Sequence, residues 1–260
     1  MMMTLSDTYE RKINYLRIAV TDRCNLRCVY CMPEGGTHIL PREDILTYEE
    51  LLTITRIVTK IGISKVRITG GEPLIRKGLV EFIYQLSRLP GVEDLSITTN
   101  GTLLYKYAEK LYEAGIKRIN ISLDSLNADR YREITRGGNF ADVRRGIEVA
   151  NEIGFDPLKI NTVIIKGVND DEIKDFALLA VKERFSVRFI EFMPVGEDTY
   201  WHEENFVPTY KIKEEIESVA RLIPLERTSS SESARIYKPE NGYGTIGFIS
   251  PLTKHFCQYC

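Results

Sequence analysis

Three of the chain's five cysteines, Cys24, Cys28 and Cys31, fall in one short stretch with C-x₃-C-x₂-C spacing. Thiolates that close in sequence can converge on a single metal centre. Structural zinc takes four protein ligands, whereas three thiolates suit a cuboidal iron–sulfur cluster that leaves one iron open for a substrate or cofactor. Two other readings share the spacing: a zinc knuckle completed by His38, and cysteines with no metal role. Cys257 and Cys260 form a second, terminal CxxC. Alone it suits a redox dithiol, half of a zinc site or half of a cluster. Gly70-Gly71-Glu72-Pro73 carries two glycines that let backbone approach a ligand closely, and a carboxylate able to accept hydrogen bonds from an ammonium. Taken alone it reads better as a plain turn.

The elements that must position these groups alternate. Asn14 to Thr21 has period-two apolar spacing and reads as a strand feeding the cysteine loop. Thr47-Tyr48-Glu49-Glu50 is a capping box opening a helix to about Ile61, with Gly62 as its stop. Further strands are expected at Lys65–Thr69, Leu95–Thr99, Arg118–Leu123, Lys159–Ile165 and Val187–Phe192. Helices are expected at Gly78–Arg88, Leu103–Ala114, Asp142–Ile153 and Asp171–Glu183. Such alternation predicts parallel strands joined by helical crossovers. Strands covered on both faces read as continuous apolar runs. Here one face stays polar: Arg17, Thr21, Lys65, Arg67, Thr69, Ser96, Thr98, Asn100, Arg118, Asn120, Ser122, Lys159 and Asn161. A partial barrel with a polar lining therefore fits better than a doubly wound sheet, and buried cations on that lining call for an anionic ligand. After Met193-Pro194 the pattern changes. A helix from Pro208 to Val219 and short strands at Ala234–Tyr237 and Thr245–Ile249 read as an extension packed on the barrel.

The 260 residues are 43% hydrophobic and 28% charged, with a formal net charge of −2. This is the balance of an ordinary soluble protein and argues against bulk binding of nucleic acid or anionic membrane. The polar N-terminus has no signal-peptide core, and no apolar run is long enough to span a bilayer. A cytoplasmic setting is expected, with the cysteines as metal ligands rather than disulfides.

The cysteine loop, with the aromatic Tyr30 before its last cysteine, resembles that of radical S-adenosylmethionine (SAM) enzymes. Gly70-Gly71-Glu72-Pro73 resembles the motif by which they contact the methionine amino group. The stretches TDRCNLRCVYCMP, RITGGEPL, ITTNG, NISLDSL, LKINTVIIKGVN, RFIEFMPVG and SPLTKHFCQYC, in this order, closely resemble the GTP 3′,8-cyclase family, which opens molybdenum cofactor biosynthesis. The likeness runs from about Tyr15 to the last residue. It implies a partial (β/α)₆ barrel over residues 1–200 and a C-terminal extension over 201–260. It also implies a [4Fe–4S] cluster with an open iron on Cys24, Cys28 and Cys31, SAM contacts at Tyr30, Gly71, Ser122 and Met193, and GTP contacts at Arg17, Arg67, Thr98 and Lys159. The last four lie on the polar face obtained independently from alternation. The implied reaction uses a 5′-deoxyadenosyl radical to take the ribose 3′ hydrogen of GTP, after which the 3′ carbon attacks C8 of guanine. An electron donor and a homodimer are implied as partners. The family's second cluster, which holds the guanine, adds a third cysteine to the final CxxC and is followed by a basic stretch and a Gly-Gly tail. The sequence stops at Cys260, so it reads as truncated, with an incomplete second cluster on Cys257 and Cys260 and its full turnover in question. Rival readings are a radical SAM enzyme with another substrate, such as a peptide, and a non-catalytic metal-binding scaffold.

Overall fold

The computed structural model describes residues 5–33, 35–36, 39–194, 200–226 and 233–254. Chain packing divides it into two compact units, one of Met1–Asn25, His38–Asn120 and Asp142–Asp156, the other of Leu26–Thr37, Ile121–Ala141 and Pro157–Cys260.

In the first unit, β1 (Tyr15–Ala19), β2 (Lys65–Thr69) and β3 (Asp94–Thr99) run parallel, with Arg17 level with Arg67 and Arg67 level with Ser96. Helices α1 (Tyr48–Thr59), α2 (Leu79–Ser87) and α3 (Leu104–Glu113) provide the connections. α1 begins in the expected capping box: Thr47 Oγ1 accepts from the Glu50 N–H, and the Glu50 carboxylate accepts from the Thr47 N–H. Ile18, Val66, Ile68 and Ile97 on the strands, with Phe82, Ile83, Leu86, Leu104 and Leu111 on the helices, are buried as this unit's core. Tyr48 stacks on Phe82 with ring centroids 4.5 Å apart. The polar residues of β1 and β2 alternate with this apolar set, as the strand period requires.

The chain passes to the second unit within β4 (Arg118–Ser122). Next comes α4 (Ala128–Thr135), which sequence periodicity leaves unassigned. Its signals are local and polar: the Asn127 side chain caps the N–H groups of Asp129 and Arg130, and Arg136 ends the helix in the left-handed region at φ 52°. α5 (Phe140–Ile153) returns to the first unit for nearly all its length. In the second unit β5 (Leu158–Ile164) pairs parallel with β6 (Ser186–Glu191) across α6 (Ile173–Lys182). After α7 (Thr209–Glu217) come β7 (Leu222–Pro224), β8 (Arg235–Pro239) and β9 (Thr245–Ile249).

β9 lies parallel beside β6, and β8 and β7 add antiparallel strands beyond it. The strands of the extension thus lengthen the sheet, while α7 packs against β6 and α6. β9 suits that position: Ile246 and Phe248 are buried, and Gly247 stands level with Arg188, whose Cγ would meet a Gly247 Cβ at 3.2 Å. β1 in the first unit and β7 in the second are each paired on one side only among the described residues. The α/β class with parallel, helix-linked strands is the expected one.

Candidate active site

Within the first unit, residues 21–25 lie against the turn that follows β2. The Gly71 N–H donates to Thr21 O at 2.7 Å and the Glu72 N–H to Arg23 O at 2.8 Å. Contact is so close that a Cβ on Gly71 would stand 2.2 Å from Arg23 O. Glu72 is wholly buried, and its two carboxylate oxygens accept the Leu74 N–H (3.0 Å), the Thr99 hydroxyl (2.8 Å) and the Asn100 N–H (2.7 Å). Burial raises its pKa against the pull of these three donors. A role for this carboxylate in receiving an ammonium is not what the geometry provides; Glu72 ties the glycine turn to the end of β3. Asn100, one residue past β3, donates through Nδ2 to Asn25 Oδ1 at 2.9 Å and to Cys24 Sγ at 3.8 Å.

In the second unit, the rest of the cysteine loop docks on the C-terminal end of α4. The Arg27 N–H donates to Thr135 O (3.1 Å) and the Val29 N–H to Ile134 O (2.9 Å), which are carbonyls a helix end leaves unpaired. Arg136 reaches back and donates to Met32 O at 2.8 Å. Cys28 O accepts the N–H groups of Cys31 and Met32, closing a tight turn. The Tyr30 hydroxyl donates to Asp124 Oδ2 at 2.6 Å, and the Val163 N–H to Asp124 Oδ1 at 2.8 Å. With its proton given to Asp124, the Tyr30 hydroxyl can only accept from a ligand, and the ring meets Phe192 edge-on. Burial, reinforced by the charge of Asp124, lifts the Tyr30 pKa well above its usual value. Asp124, Arg136 and α4 itself were not singled out by sequence reasoning, and Asn100 was placed on the polar face without a role. The signal available was the run NISLDSL, which contains Asp124 without saying what it faces.

Burial also raises the Asp124 carboxyl from 3.8 to about 6, against the pull of its Tyr30 and Val163 hydrogen bonds. A carboxyl with a raised folded pKa stabilises fully only below its unfolded pKa, and loses that contribution as pH rises through the folded one. Asp124→Asn removes the loss, which at about 1.36 kcal/mol per unit comes to roughly 3 kcal/mol. In thermal melts the variant is expected to gain on the parent from pH 4 to pH 6 and to hold a constant gap above. A gap independent of pH would show that Asp124 does not titrate there.

The polar rows are equally specific. In the first unit Arg67 lies 5.3 Å over the Tyr15 ring and donates from Nε to Ser96 Oγ at 3.4 Å. Burial, then the charges of Arg17 and Arg118, lower its pKa, with Tyr15 and Asp94 opposing. Arg118 is paired with Asp94, so Arg17, Lys65 and Arg67 are the cations of this row that the ion pair leaves for a ligand. Among the described residues the buried Tyr15 hydroxyl, Arg118 Nε and Asn120 Oδ1 have no hydrogen-bond partner. Thr98 follows Ser96 on β3, half-buried. In the second unit Lys159 and Asn161 are half-buried on β5, level with Ser186 and Arg188. Arg188, buried in the apolar run of β6, is a cation that sequence reasoning passed over. Ser122 is half-buried at the end of β4, and Met193, two residues past β6, is exposed.

Among the described residues no three His, Cys, Asp or Glu side chains are already gathered to hold a metal. The donor chemistry nevertheless fits a cluster with one open iron: three thiols on one short loop, anchored by backbone and side-chain hydrogen bonds within each unit. Cys24 and Cys28 are half-buried and Cys31 is exposed. His38, Cys257 and Cys260 lie outside the described residues.

Residues 18–180 match the family model of the radical SAM superfamily, and residues 185–260 match that of molybdenum cofactor synthesis, C-terminal. The chain is 50% identical over 256 residues to a GTP 3′,8-cyclase of Alkaliphilus metalliredigens, covering 98% of this chain and 79% of that one. It is likewise 50% identical over 258 residues to a GTP 3′,8-cyclase of Thermodesulfovibrio yellowstonii, covering 98% and 80%. Among solved structures it is similar in fold to SuiB of Streptococcus suis bound to S-adenosylmethionine, with a TM-score of 0.59 at 21% identity, covering 78% of this chain and 46% of that one.

Proposed function

Because the chain belongs to the GTP 3′,8-cyclase family of radical SAM enzymes, we propose that it cyclises GTP to (8S)-3′,8-cyclo-7,8-dihydroguanosine 5′-triphosphate with SAM and a [4Fe–4S] cluster. The family acts in molybdenum cofactor biosynthesis. The observation that carries the reading is that both family models, radical SAM and molybdenum cofactor synthesis, fall on this one chain.

When bound, the cluster and SAM would supply the one-electron radical chemistry that activates the ribose for bonding to C8 of guanine. The protein's residues bind and orient. Cys24, Cys28 and Cys31 would hold the cluster, and the α4 carbonyls with Arg136 hold the rear of their loop. Tyr30, Gly71, Ser122 and Met193 are assigned to SAM. Arg17 and Arg67, level on adjacent strands, offer two fixed cations to a triphosphate, with Thr98 and Lys159 as further GTP contacts. Holding reactants in place lowers the entropic part of the barrier. Cys257 and Cys260 are assigned to a second cluster. An electron donor, a second copy of the chain and a cytoplasmic setting complete the reading on family grounds. Consistently, no helix among the described residues is long and apolar enough to cross a membrane.

The test is anaerobic reconstitution with iron and sulfide, followed by dithionite, SAM and GTP, assayed for 5′-deoxyadenosine and cyclised nucleotide. Both products support the proposal; deoxyadenosine without cyclised product refutes cyclisation by this polypeptide, and neither product on a loaded cluster refutes the radical SAM assignment. Arg17→Ala and Arg67→Ala are each expected to raise the KM for GTP at least tenfold, by removing a charge-assisted contact of about 1.5–3 kcal/mol. SAM cleavage without GTP should be unchanged. An unaltered KM in both variants rules out the triphosphate role.

A further inference from the structure

We propose that Asn100 is a positioning residue for the cluster, donating a side-chain N–H to the Cys24 sulfur and thereby tuning the cluster's reduction potential. The proposal rests on the assignment of Cys24 as a cluster ligand.

The orientation of this amide follows from its partners. Asn100 Oδ1 accepts two hydrogen bonds from Thr102, the N–H at 3.0 Å and the hydroxyl at 2.7 Å. A flipped amide would point its NH₂ at those donors, so the oxygen must face Thr102. The NH₂ then faces the other way, with one hydrogen for Asn25 Oδ1 at 2.9 Å and the second for Cys24 Sγ at 3.8 Å. Asn25 is held in turn by donating to Thr102 Oγ1 at 2.9 Å. The main chain is fixed as well, because the Asn100 N–H is one of the donors on the buried Glu72 carboxylate. The wholly buried Glu72, the end of β3 and Cys24 are thus joined by an unbroken series of hydrogen bonds.

An N–H donated to a ligating thiolate withdraws electron density from it. The reduced cluster carries one more negative charge than the oxidised one and gains more from the donor, so the potential rises. For a cluster that must be reduced before it can pass an electron to SAM, this bond favours the working state. Sequence reasoning placed Asn100 on the polar face and in the ITTNG stretch without a role; only the fold brings its amide to Cys24.

The experiment uses the reconstituted chain and a dye-mediated potential titration followed by electron paramagnetic resonance, with iron content and thermal midpoint measured on the same samples. Asn100→Asp keeps the Thr102 acceptor and the shape but removes both N–H groups. It is expected to load iron and to shift the midpoint negative by at least 59 mV, a tenfold fall in the reduced-to-oxidised ratio at fixed donor potential. Asn100→Ala should shift in the same direction. Asn25→Ala, which removes the neighbouring acceptor while keeping the Asn100 donor, should leave the midpoint near that of the parent. An unchanged midpoint in folded, iron-loaded Asn100→Asp overturns the proposal, as does an equal negative shift in Asn25→Ala. If Cys24→Ala loads the cluster as fully as the parent, the ligand assignment beneath the proposal fails instead, and the two failures are told apart.

Discussion

Gly71→Ala is expected to cost about 4 kcal/mol of stability and to abolish SAM cleavage. The added methyl would lie 2.2 Å from Arg23 O, 2.5 Å from Arg23 C and 3.0 Å from Asp22 O. All three are backbone atoms, so no side-chain rotation relieves the clash. The strands of chain must part, which breaks the bonds from Gly71 to Thr21 and from Glu72 to Arg23. Overpacking alone costs about 1–3 kcal/mol, and two weakened hydrogen bonds add about 0.5–1.5 kcal/mol each. For a chain of this size the thermal midpoint should fall by roughly 10 °C, at about 2–4 °C per kcal/mol. Because the displaced carbonyls belong to the residues just before Cys24, cluster loading should fall as well. A midpoint within 2 °C of the parent, on the same scale, would mean that this contact can slide apart freely.

Glu191→Ala should be of comparable severity for a different reason. This residue is 1% exposed, and one carboxylate serves two segments. Oε1 accepts the Thr209 N–H (2.8 Å), the Thr209 hydroxyl (2.7 Å) and the Thr253 hydroxyl; Oε2 accepts the N–H groups of Leu252 (3.0 Å) and Thr253 (3.1 Å). Burial raises its pKa, but these bonds outweigh burial and the net shift is downward. Its stabilisation is therefore present above the ordinary carboxylate range and is lost as pH falls through the lowered value. Truncation strands several buried donors, each costing about 1–3 kcal/mol unless water reaches it, for a net loss of about 3–5 kcal/mol. The turn after β9 should then open to proteases near Thr253. Limited proteolysis reads this directly, and cleavage no faster than in the parent would show that the turn is held by other contacts. Glu191→Gln should lie between, since its amide keeps one acceptor oxygen.

Strands and most helices were legible because their signals are local. The alternation of Leu16, Ile18 and Val20, or the Thr47–Glu50 capping box, specifies conformation without knowledge of the rest of the chain. α4 was missed because its eight residues are mostly polar and its apolar stripe is short, only Ala128, Tyr131 and Ile134; the Asn127 cap and the Arg136 terminus mark its ends. The placement of β9 beside β6 was not legible, since pairing depends on which edge is open and not on the strand's own composition. At the candidate site, spacing marked the cysteines, and alternation marked Arg17, Lys65, Arg67, Arg118 and Lys159 but not Arg188. Asp124 and Glu191 were hidden, and the role of Asn100 at Cys24 was too, because the partners concerned lie far along the sequence. Glu72 shows the converse: a conspicuous carboxylate whose hydrogen-bonding capacity proves to be used within the fold.

The position of β9 also bears on synthesis. β6 is made well before β9, and until Ile249 has left the ribosome the β6 edge that β9 will occupy has no strand from this unit to pair with. At bacterial-type elongation rates that interval lasts several seconds, long compared with the formation of local helices. An unpaired edge flanked by Val187 and Phe189 is a template for association with other nascent chains. The last parallel strand to be made is therefore the one that ends this exposure, and overproduction should yield soluble protein best when translation is slow or a chaperone shields that edge.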